Sequence, residues 1–116
     1  MADPTIINIV RQYLRNLAQQ GILARMGVLF GSHATGHPSQ WSDIDLLVVS
    51  PAFDGTFSRD KIDSLWYVAA RTDSRIEPIP CGERQWVEDE VTPIIEVARR
   101  EGVRVLPDGN SGDHTS

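Results

Sequence analysis

The chain of 116 residues contains a single cysteine, Cys81, and fewer basic than acidic residues. One cysteine excludes a disulfide within the chain and a metal cluster held by several cysteines, which is typical of a reducing compartment. Lysine and arginine number 11 against 16 for aspartate and glutamate, so the formal net charge is −5. A domain that binds nucleic acid through its surface is normally basic. The composition therefore argues against a nucleic-acid partner.

Long hydrophobic runs are also missing from the chain. The longest apolar runs are far too short to span a bilayer. Residues 1–14 lack the basic start and the continuous apolar run that are typical of a signal peptide. These two absences predict a cytoplasmic protein with no membrane partner.

What is present is ordinary for a globular protein, with 41% hydrophobic and 23% charged residues. Internal repeats are absent, and the length fits one domain. We expect a single domain over residues 1–106, followed by a small polar tail over 107–116 that is disordered.

Helical and strand-like patterns alternate along the chain. A helix that begins at Asp3-Pro4 precedes a short apolar run that is typical of a buried strand. The predicted strands cover residues 25–30, 43–50, 75–80 and 103–106, and the later helices cover 59–71 and 83–101, the last one broken near Pro93. The predicted buried positions of the helix over 59–71 are Ile62, Leu65, Trp66 and Ala69. This order predicts an α+β fold with a mixed sheet of about four strands and helices packed on it.

Two aspartates open the strand predicted over residues 43–50. Asp43 and Asp45 flank an apolar residue, and side chains two apart in a strand point to the same face, about 7 Å apart along the chain. Left alone, the two charges repel and raise one pKa, whereas divalent cations bridge such carboxylates. Mg²⁺ suits these oxygen ligands together with phosphates. The alternative is a capping Asp43 and a solvated Asp45, because Asp-x-Asp alone does not identify a metal site.

Gly31 and Ser32 end the first predicted strand. Backbone N–H groups and a hydroxyl at such a position form an anion site that suits a phosphate, and glycine lets the backbone approach closely. An ordinary turn is the alternative. A Walker loop is excluded, because His37-Pro38 stands where that motif requires lysine and a hydroxyl residue.

Together, the segment GSHATGHPSQWSDIDLLVV resembles the signature of the minimal nucleotidyltransferases of the DNA polymerase beta superfamily. That signature is a strand ending in Gly-Ser, about ten intervening residues and Asp-x-Asp at the start of the next strand. The resemblance extends over roughly residues 6–106 and implies the nucleotidyltransferase fold. It also implies transfer of a nucleoside monophosphate, AMP from ATP, to a hydroxyl acceptor.

The resemblance assigns roles to six residues. Asp43, Asp45 and a third carboxylate, Glu77 on the next strand, are implied as catalytic residues and as ligands of two Mg²⁺ ions. The nucleoside triphosphate is implied to bind at Gly31, Ser32 and His33. For Glu77 the alternative is a solvated strand residue.

Two positions depart from the family pattern. Many relatives carry arginine where this chain has His33 and Thr35, so part of the positive charge that faces the phosphates is missing. A protonated His33 is expected to contact phosphate. Whether catalysis is retained without the two arginines is left open by the sequence.

The acceptor is also open. A stand-alone member resembles the antitoxin half of a pair whose partner is a helical HEPN-type toxin protein modified with AMP. The alternatives are a binding module that neutralises its partner by sequestration without turnover, and an aminoglycoside-type enzyme that modifies a small molecule.

Overall fold

Four strands form one mixed sheet in the computed structural model, which describes residues 3–35 and 42–108. The strands are β1 (Met26–Phe30), β2 (Ile44–Ser50), β3 (Ile76–Gly82) and β4 (Val103–Val105). They lie in the order β3-β2-β1-β4, with β1 antiparallel to both β2 and β4, and with β2 parallel to β3. The predicted α+β class is confirmed, and the proline-containing β3 lies at an edge of the sheet as its sequence indicates.

Five helices accompany the sheet in the described part of the chain. They are α1 (Pro4–Gln19), α2 (Ser32–Thr35), α3 (Arg59–Thr72), α4 (Glu83–Glu88) and α5 (Pro93–Glu101), and a 3₁₀ turn follows β2 at Pro51–Phe53. The predicted break near Pro93 separates α4 from α5. Asp89 stabilises the break, because its carboxylate accepts hydrogen bonds from the backbone N–H groups of Val91 and Thr92.

The two faces of the sheet pack against different helices. Along β2, Leu46 and Val48 join a core cluster with α1 and α3, whereas Leu47 and Val49 join a second cluster with α4 and α5. All four side chains are buried. The alternation of a strand therefore distributes a continuous apolar run between two cores, as is expected of a central strand.

The buried stripe of α3 differs from the predicted one. Leu65 and Ala69 are buried as expected, and Val68 completes the stripe at helical spacing. Trp66 and Tyr67 are 49% and 57% exposed, so the prediction that Trp66 is buried is wrong. Each helical residue is rotated by about 100° from the last, and the two rings that follow Leu65 therefore point away from the sheet.

A buried hydrogen bond joins α1 to α3. The hydroxyl of Tyr13 donates to the backbone carbonyl of Leu65 over 2.9 Å, and both residues are fully buried. The bond fixes the relative position of the two helices that cover one face of the sheet.

Tyr13→Phe should lower the free energy of unfolding by about 1 kcal/mol, because it removes one buried hydrogen bond without changing the ring. Tyr67→Phe is the matched control, since this hydroxyl lies on a largely exposed residue, and it should leave stability unchanged. Urea unfolding of the three proteins measures both values. Equal stability of wild type and Tyr13→Phe would contradict the role of the bond.

Candidate active site

The ends of three strands meet at one end of the sheet. Because β1 is antiparallel to β2, its last residue, Phe30, lies opposite Asp45. Because β2 is parallel to β3, Asp45 in turn lies opposite Glu77. The topology thus brings Gly31, which follows β1, to the same end as both carboxylates.

The carboxylates share a face of the sheet. Asp45 lies on the same face of its strand as Leu47 and Val49, and Glu77 lies on the same face as Ile79 and Cys81. Both acidic side chains therefore project on the face that α4 and α5 cover further along. This face is apolar along most of its length and acidic at one end. Asp43 immediately precedes β2 and is exposed, as is Glu77, whereas Asp45 is half-buried.

The three carboxylates interact with one another. Burial and the neighbouring charge of Asp43 raise the pKa of Asp45, while His33 acts in the opposite direction. A hydrogen bond with Asp43, followed by burial and the charges of Asp43 and Asp45, raises the pKa of Glu77. Burial and the nearby carboxylates therefore make the ionised forms of Asp45 and Glu77 less favourable.

The carboxylates suit a divalent cation by their chemistry. Three carboxylates supply the oxygen ligands that Mg²⁺ prefers, and their mutual repulsion is what a cation neutralises. As they stand, no three acidic, histidine or cysteine side chains in residues 3–35 and 42–108 are arranged to hold an ion. Asp45 lies opposite Glu77, and Asp43 is near enough to raise the pKa of Glu77, so the three carboxylates are neighbours at this end of the sheet.

Gly31 leaves room for the half-buried aspartate. Its φ is +76°, and a Cβ atom built on it would lie 2.4 Å from Oδ2 of Asp45. Any other residue type at this position would meet both the strained backbone conformation and the carboxylate of Asp45. The short helix α2 begins directly afterwards at Ser32, and the backbone N–H of Ala34 donates to the carbonyl of Gly31 over 3.1 Å.

His33 is turned into the protein. It is only 4% exposed, and its Nε2 lies 3.2 Å from the backbone carbonyl oxygen of Ser42. Its Nδ1 is buried and has no hydrogen-bond partner within residues 3–35 and 42–108. The predicted phosphate contact of His33 therefore does not correspond to an exposed ring in this structure. The side chain of Thr35, residues 36–41 and the predicted tail from residue 109 lie outside the described residues.

Sequence reasoning missed a pair beside this site. The guanidinium of Arg75 donates two hydrogen bonds to the carboxylate of Asp73, over 3.0 and 2.9 Å, which with burial opposing holds the pKa of Asp73 below its usual range. The carbonyl of Arg75 also accepts a hydrogen bond from the N–H of Ile44 over 2.8 Å. The backbone hydrogen bond between Ile44 and Arg75 thus connects the start of β2 to the residue before β3. The spacing Asp-x-Arg was the one available signal.

Residues 7–100, most of the chain, match the family described as nucleotidyltransferase domain. The chain belongs to this nucleotidyltransferase family. The crystal structure of a candidate nucleotidyltransferase from Sulfolobus solfataricus is similar, with a TM-score of 0.53 and 18% sequence identity over 84% of this chain and 77% of that one. At this identity the likeness shows the fold alone. No curated protein sequence matches the chain significantly.

Two further findings bear on this nucleotidyltransferase domain. A surface cavity of about 710 Å³ lies beyond the other ends of β2 and β3, lined by Phe53, Arg84 and Val91 among others. Since Asp45 and Ser50 are about 16 Å apart along an extended strand, this cavity does not adjoin the carboxylates.

Within the described ranges, every helix is too short or too polar to cross a membrane.

Gly31→Ala should destabilise the domain more than Gly55→Ala does. Both glycines have positive φ, but nothing lies within 4 Å of a Cβ at Gly55, whereas Asp45 obstructs one at Gly31. We expect Gly55→Ala to lower the free energy of unfolding by about 1 kcal/mol, the usual penalty of this conformation, and Gly31→Ala to exceed it. Chemical denaturation measures the difference, and equal losses would contradict the close approach.

Asp45→Asn should stabilise the metal-free protein at neutral pH. A raised pKa means that ionisation opposes folding, and this penalty grows as the pH rises from the unfolded pKa through the folded one. The melting temperature of the variant should exceed that of wild type by a few degrees at about pH 7, and the difference should vanish below about pH 4. Calorimetry without divalent cations tests this. A difference that does not depend on pH would refute the explanation.

Proposed function

We propose that this nucleotidyltransferase domain transfers AMP from ATP to a hydroxyl acceptor, with Asp43, Asp45 and Glu77 as its catalytic carboxylates. The observation that carries the proposal is the juxtaposition of these groups. Asp45 lies opposite Glu77 in parallel register, and Asp43 is close enough to raise the pKa of Glu77. Each of the three has a counterpart in the motif of the family that the chain resembles.

The carboxylates are the proposed ligands of two Mg²⁺ ions. Their oxygen atoms form a suitable donor set. Burial and neighbouring carboxylates raise the pKa values of Asp45 and Glu77, and a bound cation would offset this effect. Bound Mg²⁺ supplies positive charge to the phosphates and to the departing pyrophosphate. We assign Asp43 and Asp45 to the first ion and Glu77 to the second.

The triphosphate is proposed to lie over Gly31 and Ser32. Two features support this position: the turn at Gly31 brings the backbone close to Asp45, and α2 begins at Ser32. An acceptor hydroxyl then attacks the α-phosphorus in line. A new P–O bond forms to the acceptor, the bond to the bridging oxygen breaks, and pyrophosphate leaves with the electron pair.

Receipt of the proton of the attacking hydroxyl is the alternative role for Glu77. The residue is exposed at the edge strand, where an acceptor can approach it. The remaining catalysis comes from positioning and from neutralisation of charge, with no covalent intermediate on the protein.

For the acceptor, we propose a helical HEPN-type partner protein, which makes this chain an antitoxin-like enzyme. The support is the resemblance of the Gly31-Ser32 and Asp43-Ile44-Asp45 segment to the minimal nucleotidyltransferases, whereas the family match over residues 7–100 supports nucleotidyl transfer in general. Sequestration of the partner without turnover is the competing function. It draws support from His33, since the ring is buried at a position where relatives present an arginine to the phosphates.

Asp43→Asn and Asp45→Asn should each lower transfer of label from α-³²P ATP to the acceptor by about 100-fold or more, because each removes a proposed metal ligand. Asp63→Asn, an exposed aspartate on α3, is the matched control and should retain activity. Mass spectrometry of the partner should detect an added adenylyl group with wild type and Asp63→Asn, and far less or none with Asp43→Asn or Asp45→Asn. Partner binding without label transfer would instead favour sequestration, and unchanged transfer by both variants would overturn the site assignment.

A further inference from the structure

We infer that His33 is a positioning residue that orients Asp43 through the backbone, and does not itself touch the nucleotide. This inference rests on the proposed function for the identity of the site, but its evidence is separate. It comes from the burial of the ring, from the hydrogen bond of Nε2 with Ser42 and from the way the chain is anchored on both sides of Asp43.

The hydrogen bond between His33 and Ser42 has only one possible direction. Nε2 of His33 lies 3.2 Å from the carbonyl oxygen of Ser42. A carbonyl only accepts, so the ring donates, and the proton resides on Nε2. The bond connects residues nine apart in sequence, and it joins the helix that follows β1 to the residue that precedes Asp43.

The bond holds the peptide group that joins Ser42 to Asp43. The carbonyl of Ser42 belongs to the peptide group whose nitrogen is that of Asp43, and a peptide group is planar. On the other side, the N–H of Ile44 donates to the carbonyl of Arg75 over 2.8 Å. Asp43 thus lies between two anchored peptide groups, one held by His33 and one by β3. Its backbone orientation, and hence the direction of its carboxylate, depends on both.

The other ring nitrogen of His33, Nδ1, is buried and has no hydrogen-bond partner among the described residues, which is unfavourable for a polar atom. An apolar side chain of similar size would fill the same space without that penalty. The ring is therefore poorly explained as packing, whereas the donor on Nε2 explains it.

The test uses a matched pair, His33→Gln and His33→Met. The two side chains have similar length and shape, but only glutamine carries an N–H donor near the position of Nε2. The first readout is the affinity for Mn²⁺ alone, measured by electron paramagnetic resonance, and the second is kcat and KM for ATP. We expect His33→Met to lower Mn²⁺ affinity and kcat about 10- to 100-fold, the usual effect of a residue that orients a metal ligand, with KM nearly unchanged. His33→Gln should recover most of both.

A double-mutant cycle separates this role from general destabilisation. If His33 acts through Asp43, His33→Met should have no further effect on residual Mn²⁺ affinity in the Asp43→Asn background, but its full effect in the Asp63→Asn background. Equal losses in all three backgrounds would overturn the inference. So would wild-type Mn²⁺ affinity in His33→Met, or a loss in His33→Gln as large as that in His33→Met.

Nitrogen-15 NMR of the wild-type ring keeps the inference falsifiable even if His33→Met fails to fold. The ring should carry its proton on Nε2, and a proton on Nδ1 alone would refute the bond. The outcomes also separate the two proposals. Mn²⁺ binding that follows the His33 pattern without any nucleotide transfer refutes the proposed reaction alone, whereas normal transfer without the His33 pattern refutes the positioning role alone.

Discussion

The carboxylate of Asp45 and the backbone at position 31 occupy nearly the same space, and glycine is the residue that admits both. A Cβ at Gly31 would lie 2.4 Å from Oδ2 of Asp45, and the positive φ at this position directs the chain out of β1 into α2. The antiparallel pairing of Phe30 with Asp45 makes the approach unavoidable. Ser32 and His33 reach their places only because the chain turns here. The geometry of the whole candidate site therefore depends on this one close approach.

The same end of the sheet carries a second constraint, which is electrostatic. Three carboxylates lie there, and burial together with neighbouring charge raises the pKa values of Asp45 and Glu77, so ionisation of these two groups opposes folding. The rest of the sheet offsets this: Leu46, Leu47 and Val48 are fully buried between two helical layers. A short strand thus combines an unfavourable acidic start with an apolar continuation that fixes its register. Because register determines which face a side chain takes, the apolar continuation also determines where Asp45 points.

Much of this arrangement could be predicted from local patterns. Alternation along a strand places Asp43 and Asp45 on one face, and the apolar run after them predicts a central strand; both features are evident in the sequence. The resemblance alone implied that Glu77 belongs to the site, and its register opposite Asp45 was not predicted, since it requires a parallel crossover whose register α3 and its loops determine. The phase of α3 was misjudged at Trp66, because two adjacent aromatic residues give no local indication of which side is buried. The inward turn of His33 depends on a backbone carbonyl nine residues away, and no side-chain pattern reports the position of a carbonyl.

The charges at this end of the sheet also bear on how an acidic protein would hold a triphosphate. His33 is buried against Ser42, and the guanidinium of Arg75 is bonded to Asp73, so neither supplies an exposed cation in the described part of the site. Around them stand Asp43, Asp45 and Glu77, which repel phosphate. In the proposed reaction, the attraction for ATP must therefore come chiefly from the divalent ions that the carboxylates bind. A net charge of −5 is consistent with such a site, because the positive charge arrives with the metal and need not be encoded in the chain.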